Sequence, residues 1–136
     1  YLGKLSGPML DRIDLFSEVP PLEFENLADR SPGEPSAAIR AHVTKARERQ
    51  SKRFGPDGPH CNAAMGQAEI RRFCALDDEG QALMKGAYEH MGLTARSYDR
   101  ILRVARTIAD LDESENIQTH HLAEAIQYRE TEYFSV

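Results

Sequence analysis

The sequence contains no tryptophan and only two cysteines, Cys61 and Cys74. Two thiols are too few for a disulfide framework, so a reducing cytoplasm is the expected compartment. No apolar run approaches the roughly 20 residues that a bilayer span requires, and no membrane partner is expected. No basic-then-apolar leader opens the chain, which starts on Tyr1 rather than Met and reads as a piece cut from a longer protein. Also missing is GxxxxGK[ST], the loop whose backbone N–H groups cradle nucleotide phosphates. "GKLS" at 3–6 fails the pattern because Lys4 is followed by Leu5 and no glycine precedes it at the right distance. No apolar strand ends in Asp-Glu to hold Mg²⁺. His60, Cys61 and Cys74 lack zinc-ligand spacing and a fourth ligand, so no metal site is expected. No carboxylate pair and no Ser/His/Asp set points to acid–base or nucleophilic catalysis.

What remains is a chain of 136 residues, 40% hydrophobic and 29% charged, enough for one modest core. Its formal net charge of −5 argues against a general nucleic-acid binder, though a local basic face can still act as one. Residues 1–34 hold four of the seven prolines and seven acids against three basic residues. Within them "RIDLFSEVP" (12–20) partly alternates and reads as a single strand, and "PPLEFENLADRSPGEPS" as a linker.

From Ser36 the period becomes helical. Ser36 is placed as the cap of a helix with apolar stripe Ile39, Val43 and Ala46, stopped by "FGPDGP" (54–59). A short helix is expected through 63–76. The next begins at Asp77 or Asp78, carries Leu83, Met84, Ala87, Tyr88 and Met91 on one side, and ends at Gly92. Thr94 caps a helix through "ARSYDRILRVARTIADL", and Thr119 caps a last one with Leu122, Ala125 and Ile126. Four or five short helices make an all-α, small helical bundle.

The helix after Thr94 concentrates Arg96, Arg100, Arg103 and Arg106 in an acidic chain. At about 100° per residue, the first three fall within roughly 60° of one another, opposite Tyr98, Ile101, Leu102, Ala105, Ile108 and Ala109. A solvated face is the ordinary reading of such a stripe. Arg96 resists it, because a cation in the first turn opposes the helix dipole, and an arginine there is placed to hold an anion. A second basic stretch, "RAHVTKARERQSKRF" (40–54), sets six basic residues against one acid. Arg40, Lys45, Arg47, Arg49, Lys52 and Arg53 are candidate DNA contacts, since such side chains neutralise phosphates. The lack of an interleaved aromatic favours a solvated helix instead. His120-His121, at a helix start, reads as surface.

"LTARSYDRILRVARTIADL…I…HLAEAIQYR", with Asn62, Ile70, Cys74 and Leu76 upstream and "LSGPMLDRIDLFSEVP" at the front, closely resembles the C-terminal domain of bacterial magnesium-chelatase-like AAA+ ATPases, the competence-associated members among them. The likeness covers about 5–20 and 36–129. Thr94 stands where Ser is expected, a tolerable change since either caps. Residues 21–35 and "ETEYFSV" match nothing in the family.

The resemblance implies an AAA+ lid (36–129) preceded by the last piece of the ATPase core (1–20), a linker (21–35) and a tail (130–136). It implies that Arg12, in "LDR", is an arginine finger reaching a neighbouring subunit's γ-phosphate, where the reading without it is an ion pair with Asp11 or Asp14. Arg96 is implied as the sensor 2 arginine. The chemistry is consistent, since a planar guanidinium stabilises charge spread over γ-phosphate oxygens. The implied parent is a bacterial homo-hexamer or similar ring using ATP and Mg²⁺. The chain itself is expected to be inactive and to hold neither tightly. The alternative is a helical interaction module that binds DNA or a protein through the 40–53 helix.

Overall fold

In the computed structural model, Lys4 and residues 6–29 and 31–130 are described, and among them all regular structure is helical. The elements are α1 (Gly7–Asp11), α2 (Phe24–Ala28), α3 (Ser36–Phe54), a 3₁₀ turn (Asn62–Ala64), α4 (Gln67–Phe73), α5 (Asp78–Met91), α6 (Ala95–Leu111) and α7 (Thr119–Gln127). The five helices from α3 to α7 form the expected all-α bundle.

α6 is its axis, packed against α3, α4, the 3₁₀ turn and α7, while α5 packs on α7. Ile101, Leu102, Ala105 and Ala109 of α6 are buried against Leu122, Ala125 and Ile126 of α7, with Met65, Ile70 and Met84 closing the core. Burying one such aliphatic side chain contributes about 1.5–3 kcal/mol, so this cluster is the main source of stability.

The ends of the central helices follow sequence chemistry. Asp77 Oδ1 accepts from the Gly80 N–H (2.7 Å) to start α5. Gly92 ends α5 at φ +62°, a left-handed conformation that costs glycine nothing. Thr94 and Ser97 start α6 by bonding each other's backbone N–H, at 3.1 and 2.9 Å. Two expected caps lie one residue off. Pro35 occupies the N-cap of α3 and Gln118 that of α7, with Ser36 and Thr119 as the first helical residues.

Three expectations are corrected. Ile39 and Val43 are 47% and 45% exposed, so only Ala46 of the α3 stripe joins the body. The first turns of α3 have the right period, but among the described residues nothing buries their apolar face. Residues 12–20 form no strand ladder: the backbone link from this stretch to the bundle is Phe16 N–H to Tyr128 O, 2.7 Å. The linker stretch contains the single-turn helix α2, and α1 precedes it where no helix was expected. Tyr1 to Gly3, Leu5, Arg30 and the tail from 131 lie outside the described residues.

Candidate functional site

The arginines of α6 divide by their partners. Arg106 is buried and held at both terminal nitrogens: Nη1 donates to the Glu115 carbonyl (2.9 Å) and the Phe73 carbonyl (3.3 Å), and Nη2 to the Ser114 carbonyl (2.8 Å). Burial lowers its pKa, and Asp110, at 3.3 Å, opposes that. Arg103 is half-buried and donates to the Met65 carbonyl at 3.0 Å. Arg100, also half-buried, pairs with Asp14. The solvated stripe therefore shrinks to one residue. Arg96 is exposed and has no ion pair among the described residues. It stands two residues past the cap, at the start of α6.

Arg12 follows α1, exposed, at the C-cap. The acids that composition offered it are taken by others. Asp14 pairs with Arg100, and Asp11 lies 3.6 Å from Arg129 and accepts from Thr94 Oγ1 at 3.3 Å. Arg12 thus has no ion pair among the described residues, and the expected surface pair does not form. Because Asp11 touches Thr94, the segment carrying Arg12 is docked beside the helix start carrying Arg96.

Arg129 makes that docking. It is 7% exposed and donates to the carbonyls of Ile13 and Leu10 (2.9 Å to the latter), with its guanidinium 5.2 Å from the Phe16 ring centroid. Burial lowers its pKa, against the pull of Asp11. Sequence reading did not single it out. The available signal was a charged residue continuing the core period of α7, at Leu122, Ala125, Ile126 and Arg129.

The basic helix is also sorted by partners. Arg53 forms a two-pronged pair with buried Asp110 (3.0 Å for the longer contact), so its guanidinium is engaged by the fold. Asn62 joins the same carboxylate at 2.8 Å and takes its own backbone N–H to Gln50 Oε1 at 2.9 Å. Lys45 lies 3.9 Å from Glu113 on the surface. Arg47 sits at Cys61. Burial pushes that thiol up, but Arg47 and the neighbouring Ala63 and Ala64 amides outweigh it and hold the pKa below its ordinary value. Arg40, Arg49 and Lys52 have no ion pair among the described residues.

His121 is corrected from surface to core, at 1% exposure. Its Nδ1 accepts the Gln118 N–H at 2.9 Å, starting α7, and its Nε2 lies 2.7 Å from Asp112 Oδ2. Asp112, His120 and His121 bring three ligand-type atoms within 4.8 Å of one another. The Gln118 bond occupies the Nδ1 lone pair, so Nε2 carries the proton and donates it to Asp112. His121 therefore serves as a cap and not as an open metal ligand. The described helices include none long and apolar enough to cross a membrane.

Residues 33–129 match the family described as magnesium chelatase, subunit ChlI C-terminal. YifB of Escherichia coli (strain K12) is 45% identical over 131 residues, covering 95% of this chain and 25% of that protein. "Competence protein ComM" of Haemophilus influenzae is 46% identical over 132 residues, with 95% and 25% covered. Rv2897c of Mycobacterium tuberculosis is 34% identical over 131 residues, with 96% and 26% covered. The chain thus spans about a quarter of the length of these relatives. A helical bundle on an α6 axis, matched over nearly its whole length, places the chain among the magnesium chelatase subunit ChlI C-terminal domains.

Proposed function

We propose that this chain is the lid of an AAA+ ATPase, with Arg96 as the sensor 2 arginine and Arg12 as the finger that reaches a neighbouring subunit. One observation carries the reading. Arg53, Arg100, Arg103, Arg106 and Arg129 are spent on carboxylates and carbonyls of the fold, whereas Arg12 and Arg96 are exposed and have no ion pair among the described residues, on two segments that touch.

A guanidinium offers only donors, so this pair suits phosphate oxygens and not a metal ion. Arg96 neutralises γ-phosphate charge as it develops, and α6, which carries it, is also the helix on which the bundle packs. ATP and Mg²⁺ belong to the rest of the longer protein, whose P-loop makes most of the cradle. The working unit is a cytoplasmic homo-oligomeric ring, a hexamer or similar, in a bacterial cell. The name of the Haemophilus influenzae relative extends the proposal to a role in competence.

Subunit mixing in the full-length protein tests the finger. Arg12→Ala subunits and P-loop-dead subunits should each be inactive. Mixed under exchanging conditions they regain partial turnover, because some interfaces pair an intact pocket with an intact finger. A mixture as inactive as its parts would refute the assignment of Arg12.

A further inference from the structure

The cations left over from the basic helix do not stand alone. Arg49 and Lys52, one turn apart on α3, line a cavity of about 500 Å³ with Arg72 of α4, the more buried Arg53 and Arg106, and the loop at 114–117. That volume falls in the usual range of ligand sites, roughly 300–1,000 Å³. We infer that this groove between α3 and α4 binds phosphate groups, at a site separate from Arg12 and Arg96.

Four features support it. Two of the lining guanidiniums, Arg53 and Arg106, share one carboxylate, Asp110, so positive charge remains after their pairing. The buried Nε of Arg106 has no hydrogen-bond partner among the described residues. Arg49, Lys52 and Arg72 have no ion pair among the described residues, in a chain of net charge −5. Among the described residues that line the groove, Glu115 is the one acid against five cations. Aromatic surface is present too. Phe73 lines the cavity, edge-on to Phe54 at 5.5 Å, with the Arg72 guanidinium 4.9 Å from its ring centroid. Planar guanidinium and ring faces beside a cationic track are the elements by which proteins hold nucleic-acid strands without reading sequence. The same cations suit a free polyphosphate, so the chemistry named is phosphate and the experiment separates the two sources. The inference does not depend on the ATP reading, because no residue is shared with it.

The test is fluorescence anisotropy of a labelled short oligothymidylate with the chain, and, separately, calorimetric titration of the chain with tripolyphosphate. With three phosphate contacts, single-strand affinity should fall about 20-fold between 50 and 200 mM salt. The triple variant Arg49→Gln, Lys52→Gln, Arg72→Gln should weaken binding at least about tenfold and flatten the salt slope. Lys52→Gln alone, at an exposed position that leaves the fold intact, should lower that slope by about 0.7. Arg40→Gln, at the other end of α3, should leave binding unchanged. Strand binding that shows this pattern assigns the groove to nucleic acid. Tripolyphosphate binding with the same pattern, and no strand binding, assigns it to free polyphosphate. If neither ligand binds, or if binding ignores Lys52→Gln and the triple variant alike, the inference is wrong.

Discussion

Arg53 and Asp110, 57 residues apart in sequence, close a two-pronged ion pair beneath the junction of α3 and α6. The carboxylate is fully buried and also receives Arg106 and Asn62, so one acid organises three elements. This pair removes Arg53 from the surface charges and makes Asp110 the polar centre of the bundle.

Asp110→Ala should therefore destabilise the chain by about 3–5 kcal/mol, because it leaves two guanidiniums buried without a counter-charge. Urea unfolding measures it. A loss under 1 kcal/mol would mean that water compensates both cations and that the pair is not central.

Arg129→Ala should free the α1 segment without unfolding the lid. Amide exchange at Phe16, whose N–H bonds Tyr128 O, should become fast while Ile101 and Leu102 of α6 keep their protection. Unchanged protection at Phe16 would show that Arg129 does not hold the segment.

The two thiols should differ sharply. Burial raises the Cys74 pKa to about 11, while Cys61 is held below its ordinary value. At mildly alkaline pH, iodoacetamide should modify Cys61 and leave Cys74 intact until the chain unfolds. The sign for stability follows. Unfolded Cys74 loses its proton near 9.0 and folded Cys74 only near 11, so the fold loses stability as pH rises through that interval. Equal labelling rates in the native chain would contradict this.

The His121 cap predicts acid sensitivity. Hydrogen bonds from His121 first, then His120, hold the Asp112 carboxyl below its ordinary value. A depressed carboxyl contributes stability above its unfolded pKa and loses it on acidification, so wild type should weaken as pH falls below about 4. Asp112→Asn should weaken less over that range, and identical acid profiles would refute the contribution.

How much was legible depended on whether the signal was local. Thr94, Gly92 and Asp77 act within three or four residues, and each caps where its chemistry says. Arg12 and Arg96 stood out through the likeness in their neighbouring words, and the structure adds that neither is spent on the fold. Ile39 and Val43 have core spacing but stay about half exposed among the described residues, because periodicity defines a face without supplying what covers it. Arg53 and Arg106 could not be told from surface charges, since Asp110 reaches Arg53 only in three dimensions. His121 was hidden beside His120: only the offset of three from Gln118, the distance over which a helix start is capped, separates core from surface.

The central claim is that Arg96 acts on nucleotide and not on the fold, and ATP turnover by the full-length protein carrying Arg96→Ala measures it most directly. The side chain is exposed and has no ion pair among the described residues, so removing it creates no cavity and relieves a dipole conflict of about 0.3–1 kcal/mol. The chain bearing this substitution should melt at or slightly above the wild-type temperature. Turnover of the full-length variant should fall by at least about a hundredfold, with finger-type arginines setting an upper comparison of about 10³–10⁵. Normal ATP hydrolysis by a folded Arg96→Ala protein would contradict the account.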